Sequence, residues 1–279
     1  MLEFRFMQRA LLVSLMISIM IPLIGIVLVN RKTSMIGDAL SHVSLSGVAA
    51  GLILNINPLI GGIVACVIGA FGIEGIRKKF PHYGDMATGI ITALGLGIAA
   101  MLSDFAPGGN SFEAYLFGSI VSVSKMDLIL ISITFILVLA LSLIFYGGLL
   151  NICINQNLAR LAGVNTKLIN GIFTFLASLT VALSAKVIGA LMVTSLIVLP
   201  VANALLISRS YKQTYIFTLL FGMFYTLSGV VISYYFDVKP GGSIVVLAGL
   251  GLIITFSITK LKKKIQRDSK NFLKEQMSS

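Results

Sequence analysis

Long apolar runs separated by short polar breaks occupy the chain from Arg9 to Lys260. A helix that crosses a membrane needs about 20 mostly apolar residues, and this length divides the chain into about nine candidate helices. The candidates are residues 9–29, 36–54, the run after Pro58 to residue 75, 86–105, 127–150, 168–207 as a pair, 213–236, and the run from the turn at 237–242 to residue 260. The pattern predicts an all-α integral membrane protein, a polytopic bundle of about eight to nine transmembrane helices.

The run from Leu168 to Ile207 is about twice the length of one span, and Lys186 lies near its middle. A charge at the centre of a bilayer is costly, so we expect two helices that turn near Lys186. The lysine is interpreted as an anchor whose ammonium group reaches the membrane surface. Two segments are too polar to span: residues 106–125, predicted as a loop with a short helix, and residues 151–167, which have helical character.

The composition indicates that lipid is the solvent for most of the chain. Hydrophobic residues make up 57% of it and charged residues only 11%, whereas soluble domains have about 25% charged residues. We assign residues 1–260 to one transmembrane permease domain and residues 261–279 to a basic cytoplasmic tail, either helical or disordered. Cys66 and Cys153 lie far apart in apolar segments, which is typical of small buried side chains and not of a metal or redox motif.

The net charge of +11 is concentrated in basic clusters between the apolar runs. Such clusters mark cytoplasmic loops, and their distribution argues against a nucleic-acid-binding surface. We place the loops at Arg31, Arg77, Arg160 and Arg209 and the C-terminal tail in the cytoplasm, and the loops at Asn55, Pro107, Lys186 and Asp237 outside. An odd number of helices then puts the N-terminus outside.

A polar pair in the second apolar run is the first candidate for chemistry. Asp38 and His42 lie four residues apart, so a helix places both side chains on one face. An ionisable pair inside a membrane segment is costly and usually marks the path of an ion or substrate. Oxygen and nitrogen ligands of this kind suit zinc or manganese. The structural alternative is that Asp38 caps the helix and His42 is an ordinary hydrogen-bonded side chain.

One chain supplies too few ligands for a closed tetrahedral site, whereas a two-fold dimer would supply two carboxylates and two imidazoles. Such a site would hold a dehydrated cation in transit. His82, in a basic loop, is interpreted as a solvated side chain. The sequence has no G-x-x-x-x-G-K-[ST] phosphate loop, no H-E-x-x-H motif and no G-x-S-x-G elbow, so it predicts neither an ATPase site nor a hydrolytic centre of its own.

Several segments resemble the permease subunits of ATP-binding-cassette importers for zinc, manganese and iron. They are Gly37–His42 (GDALSH), Tyr115–Ser119 (YLFGS), Ala159–Val164 (ARLAGV), Lys186–Val193 leading to Leu199–Pro200, and, more weakly, Pro240–Val245. The resemblance covers the chain up to the basic tail. One departure is Lys186, where the family often has Arg.

The resemblance implies a homodimeric permease in the cytoplasmic (inner) membrane of a bacterium, with two ATP-binding subunits and an extracellular or periplasmic metal-binding protein as partners. It implies that Asp38 and His42 line the metal path and that no cofactor is bound permanently. It also implies that Asn157, Arg160 and Gly163 belong to the contact with the ATPase. The likeness of the first two helices favours zinc as the transported ion, with manganese or iron as alternatives.

Two other classes of protein are compatible with a polytopic bundle. A stand-alone secondary cation carrier would be expected to show more buried acidic residues and an inverted repeat, and neither is evident. A membrane scaffold without transport activity would leave Asp38 and His42 unexplained. Co-purification with an ATPase separates the importer from both.

The charge distribution predicts opposite sides of the membrane for Gly108 and Lys263. Single cysteines at these positions, in a chain whose own cysteines are replaced by serine, should react with a membrane-impermeant reagent from outside at residue 108. A single cysteine at residue 263 should react only after the membrane has been permeabilised. Labelling of both positions from outside would contradict the topology.

Overall fold

The computed structural model describes residues 5–80, 83–106, 109–119 and 123–278, and within these ranges the regular structure is helical. The twelve helices are α1 (Arg5–Asn30), α2 (Met35–Ile53), α3 (Pro58–Lys79), α4 (Gly84–Ser103), α5 (Gly109–Phe117), α6 (Lys125–Ile144), α7 (Tyr146–Ile154), α8 (Gln156–Leu161), α9 (Thr166–Ile188), α10 (Ala190–Ile207), α11 (Tyr211–Phe236) and α12 (Pro240–Ser278). His82, Pro107 and Gly108 lie outside the described residues.

Within the described ranges, nine helices are long and apolar enough to cross a membrane. They are α1, α2, α3, α4, α6, α9, α10, α11 and the part of α12 from Pro240 to Lys262. A helix satisfies the hydrogen-bonding groups of its own backbone, which lipid cannot do, so apolar runs of this length fold as helices. The predicted all-α membrane bundle is confirmed.

The predicted span over residues 127–150 differs from the observed helices. It is divided at Phe145, which has φ −99° and ψ 18° and separates α6 from α7. Hydropathy does not reveal this break, because both helices are apolar; the following pair Gly147 and Gly148 lowers the helical propensity there. The polar segments contain the expected short helices α5 and α8. Helix α12 continues past Lys260, so the basic tail begins at a change of polarity and not at a break in the helix.

Helix α2 packs against four other spanning helices, α3, α4, α9 and α10. Its approach to α3 depends on Gly47, because a Cβ atom there would lie 2.6 Å from the Cβ of Ala65. On another side, a Cβ at Gly95 of α4 would lie 2.8 Å from the backbone nitrogen of Val43. Small residues let helix backbones touch in membranes. This packing fixes the direction of the α2 face that carries the polar pair.

A buried ion pair joins the start of α6 to the end of α9. Lys186 Nζ lies 2.6 Å from Asp127 Oδ2, and the two side chains are only 14% and 2% exposed. The same carboxylate oxygen accepts a 2.7 Å hydrogen bond from the backbone N–H of Ser124. The prediction that Lys186 is a surface-reaching anchor is therefore wrong. Its charge is compensated inside the protein by a carboxylate 59 residues away in sequence, which no local pattern reveals.

The turn between α9 and α10 is a single residue, Gly189, three positions after Lys186. Its φ of +99° is accessible to glycine and strained for other residues. Gly118, with φ +83°, lies against this turn, and a Cβ on either glycine would overlap the backbone of the opposite segment. The N–H of Ser119 also donates a 3.3 Å hydrogen bond to the carbonyl of Lys186. The segment after α5 is thereby held against the α9–α10 turn, beside the ion pair.

Breaking the buried pair should destabilise the fold. Lys186→Met leaves the Asp127 carboxylate buried without its counter-charge, a change that costs about 3–5 kcal/mol in comparable sites. We expect a lower midpoint of thermal unfolding in detergent for this variant, and a midpoint close to wild type for Lys186→Arg. Combining Lys186→Met with Asp127→Asn should recover much of the loss.

The pair formed by Glu113 and Lys239 provides a matched control, because both of its side chains are 52% exposed. Exposed pairs contribute about 1 kcal/mol or less, so Lys239→Met should change the midpoint only slightly. Equal effects of Lys186→Met and Lys239→Met would show that burial of the first pair has no special importance.

Candidate functional site

The polar pair predicted on α2 is brought together by the helix. Asp38 lies in the first turn and His42 one turn later, so both side chains project from the same face. His42 Nε2 lies 3.8 Å from Asp38 Oδ1, which is too long for a hydrogen bond. This ring nitrogen is therefore available to another group.

The second ring nitrogen of His42 is also unsatisfied. Nδ1 is buried and has no hydrogen-bond partner among the described residues. A buried polar atom without a partner carries a cost of about 1–3 kcal/mol, so its presence calls for an explanation. The structural alternative, in which Asp38 caps the helix and His42 is an ordinary hydrogen-bonded side chain, is wrong. The N-cap residue of α2 is Ser34, and Nδ1 of His42 has no hydrogen-bond partner among the described residues.

Exposure distinguishes the two side chains. That of Asp38 is 42% exposed although it lies in a spanning helix, whereas that of His42 is 15% exposed. A carboxylate is costly against lipid, and ionisable groups in membrane spans face a bundle interior or a water-filled cavity. This face of α2 is therefore suited to water, an ion or a second protein surface.

One contributor to the site lies far away in sequence. The hydroxyl of Thr194 on α10 donates a 3.3 Å hydrogen bond to Asp38 Oδ1, which helps to hold the carboxylate in place. Thr194 is 156 residues from Asp38, so no spacing rule connects them. Sequence reasoning missed this residue, because its only signal is a hydroxyl in an apolar run, which many positions of the chain share.

The pair can supply two ligands to one cation. Ligand atoms about 2.1 Å from a tetrahedral ion lie about 3.4 Å from each other, and the observed separation of 3.8 Å is close to this value. More ligands are needed to complete a site, because no three His, Cys, Asp or Glu residues group together in the part of the chain that the structure describes. Within the described residues, the chain thus supplies at most two of the four ligands that a tetrahedral ion takes.

The residues predicted to contact an ATPase, Asn157, Arg160 and Gly163, lie within residues 155–164, which contain the separate short helix α8 (Gln156–Leu161). The side-chain oxygen of Asn155 caps this helix by accepting hydrogen bonds from the N–H groups of Asn157 and Leu158, at 2.9 and 3.3 Å. Beyond the other end, Gly163 has φ +80°, a conformation that glycine adopts without strain. Capping and the glycine together define where α8 begins and ends. We call residues 155–164 the coupling segment, after the ATPase contact that the sequence predicts there.

Arg160 connects the coupling segment to the next span. Its Nε donates a 3.0 Å hydrogen bond to the hydroxyl of Thr166, the first residue of α9. In the same short helix, Ala159 is buried, whereas Leu158 and Leu161 are 60% and 85% exposed. Two exposed leucines on an element too short to span are suited to contact with another protein. What Asn157, Arg160 and Gly163 contact beyond this chain stays a prediction.

The fold and the site together define a class: a multi-pass helical membrane protein with an open carboxylate–imidazole pair in one span and a short polar helix between two others. The chain belongs to the ABC 3 transport family, whose model matches residues 3–259. The predicted family of metal-importer permeases is thereby confirmed.

Individual relatives match over nearly the whole chain. A probable metal transport system membrane protein of Treponema pallidum is 34% identical over 262 residues, covering 94% of this chain and 98% of that protein. The high-affinity zinc uptake system membrane protein ZnuB of Haemophilus influenzae is 30% identical, covering 90% and 97%. The manganese transport system membrane protein MntC of Listeria monocytogenes is 27% identical, covering 91% of each.

A solved structure has the same fold. The chain superimposes on PsaBC from Streptococcus pneumoniae, solved in complex with a Fab, with a TM-score of 0.81 and 28% sequence identity. The match covers 91% of this chain and 91% of that chain, so the two share one architecture over most of their length.

Proposed function

We propose that this chain is the permease subunit of an ATP-driven importer that moves a divalent metal ion, zinc in the first place, across the cytoplasmic membrane of a bacterium. The observation that carries the proposal is the Asp38–His42 pair, a carboxylate and an unsatisfied imidazole on the open face of a spanning helix. The names of the relatives, which include metal transport, zinc uptake and manganese transport proteins, support it.

A second copy of the chain would complete the metal site. A two-fold axis beside the open face of α2 would bring two carboxylates and two imidazoles around one ion. Four such ligands match tetrahedral zinc and replace part of the hydration shell that the ion loses on entering the membrane. Thr194 would act as a positioning residue, because its hydrogen bond holds Asp38 in the orientation that the ion requires.

The energy for transport would come from ATP-binding subunits, because the chain has no phosphate loop. An external metal-binding protein would deliver the ion to the outer mouth. ATP binding and hydrolysis would then move the coupling segment, and the Arg160–Thr166 hydrogen bond would pass this motion to α9. The turn at Gly189 joins α9 to α10, and α10 carries Thr194 beside the Asp38–His42 pair. Rigid-body rotation of the two copies would then expose the site to each side in turn.

Ligand chemistry favours zinc over manganese. Imidazole nitrogen is a good zinc ligand, whereas manganese prefers sites with more oxygen ligands. Two Asp and two His fill a four-coordinate site without water, but an octahedral manganese ion would need added water molecules. The zinc uptake and manganese transport relatives are similar in identity to this chain, 30% and 27%. The proposal of zinc over manganese therefore depends on the ligand types and not on overall sequence identity.

Zinc import through this pair predicts a growth phenotype. In a bacterium that lacks the chain and grows under chelation, the wild-type chain should restore growth when zinc is the only metal added. Asp38→Ala and His42→Ala should each abolish the rescue and the accumulation of zinc, because each removes a proposed ligand. Growth, cellular zinc by elemental analysis and the amount of chain in the membrane are the measurements.

Ser44→Ala is the matched control on the same helix, because the Ser44 hydroxyl is buried and has no partner among the described residues. It should behave like the wild type. If manganese restores growth and zinc does not, the transported ion is manganese and not zinc. If Asp38→Ala or His42→Ala takes up zinc as the wild type does, the pair does not take part in transport.

Transmission through the coupling segment predicts that Gly163→Ala separates ATP hydrolysis from transport. Alanine is strained at a φ of +80° by about 1–2 kcal/mol, so the end of α8 should shift relative to α9. In proteoliposomes that also contain the ATP-binding subunit, hydrolysis should continue while the metal moved per ATP falls several-fold. Arg160→Gln should act in the same direction, since it removes the hydrogen bond to Thr166.

Gly171→Ala in α9 is the control for this experiment, because a Cβ there has nothing within 4 Å and the residue is helical. Its ratio of metal to ATP should equal that of the wild type. The same ratio in Gly163→Ala would place the transmission path elsewhere.

A further inference from the structure

A polar cavity of about 530 Å³ lies between the coupling segment and the ends of three spanning helices, α1, α3 and α9. Its cations are Arg31, Arg77, Lys78, Arg160 and Lys167, and the one carboxylate in its lining is Glu74. The other lining residues carry side-chain amides. Each lining side chain thus ends in a charged or amide group, and the five cations face a single carboxylate.

This excess is not balanced by the residues that the structure describes. Glu74 lies 3.6 Å from Lys78, one turn later on α3, and is largely engaged by it. The other cations lie beyond ion-pair distance of any carboxylate in the described ranges. Burial, and next the charge of Arg77, lower the pKa of Arg31, and the charge of Glu74 offsets this only in part. Like charges held together in this way are destabilising unless an anion enters.

The lining argues against a lipid as that anion. A phospholipid needs a continuous apolar surface for its acyl chains, whereas each side chain that lines the cavity ends in a charged or amide group. The position argues for a protein, because α8 forms one wall and also carries the exposed Leu158 and Leu161. A partner that binds α8 therefore lies close to the cavity.

We infer that the cavity receives acidic side chains of the ATP-binding subunit when that subunit docks on the coupling segment. The inference rests on the proposed function and adds the chemistry of the contact: apolar on the leucines and ionic in the cavity. Charge complementarity of this kind orients a partner and raises its rate of association, and it weakens with salt. The partner's carboxylates would also relieve the repulsion among Arg31, Arg77 and Lys167.

The test uses the full chain in nanodiscs of uncharged lipid and the purified ATP-binding subunit, with affinity measured from about 50 to 500 mM NaCl. Wild type should bind more weakly as salt increases. The double variant Arg77→Gln with Lys167→Gln should bind about tenfold more weakly at low salt and show a flatter salt dependence, as expected for loss of close charge pairs. Arg77→Lys with Lys167→Arg should restore both affinity and salt dependence, which a merely misfolded variant would not do.

Lys79→Gln is the matched control, because Lys79 is exposed at the same end of α3 and does not line the cavity. If the double variant has the same affinity and salt dependence as Lys79→Gln, the inference is overturned and the proposed function is left intact. A loss of affinity seen only in nanodiscs with anionic lipid, or a site that takes up inorganic phosphate without affecting the partner, would also overturn it. Absence of any binding by wild type, at every salt concentration, would refute the proposed function itself.

Discussion

Lipid offers no hydrogen bonds and no solvation for charge, and this constraint governs the rest of the structure. Backbone groups meet it by forming helices, so the apolar runs fold as spans. Charged side chains within the bundle meet it in two different ways. Lys186 and Asp127 neutralise each other at 2.6 Å in a buried position. Asp38 and His42 remain 3.8 Å apart, one of them 42% exposed and the other with an unsatisfied nitrogen. The first pair is compensated within the chain, whereas the second leaves a buried nitrogen without a partner among the described residues.

Hydropathy and helical spacing were sufficient for the spans and for the shared face of Asp38 and His42, because both depend on neighbours within a few residues. They failed where the deciding contact is distant. The cost of a charge in lipid is enough to predict a turn near Lys186. It does not predict the ion pair that Lys186 makes, because Asp127 lies 59 residues earlier. Thr194 shares this difficulty, because it lies 156 residues from Asp38, whereas the break at Phe145 lies between two apolar helices that hydropathy does not separate.

The two regions proposed to bind metal and to contact the ATP-binding subunit are linked through α9 and α10. The coupling segment is tied to α9 by the hydrogen bond from Arg160 to Thr166. Helix α9 ends at the ion pair and the glycine turn, where the segment after α5 is packed against it. Helix α10 then begins and presents Thr194 to Asp38. The backbones at this turn are in direct contact and have little room to yield, as the proposed transmission of motion requires.

The length of α12 has a geometrical consequence. This helix has 39 residues, of which 23 belong to the candidate span, so at about 1.5 Å per residue it extends roughly 24 Å beyond the membrane-spanning part. The part beyond the span therefore moves with the span as one continuous helix. A tilt of about 10° about the middle of the span, well within the range that membrane helices adopt, would move its far end by roughly 7 Å. Rearrangements too small to notice among the packed spans would thus be magnified at the C-terminus.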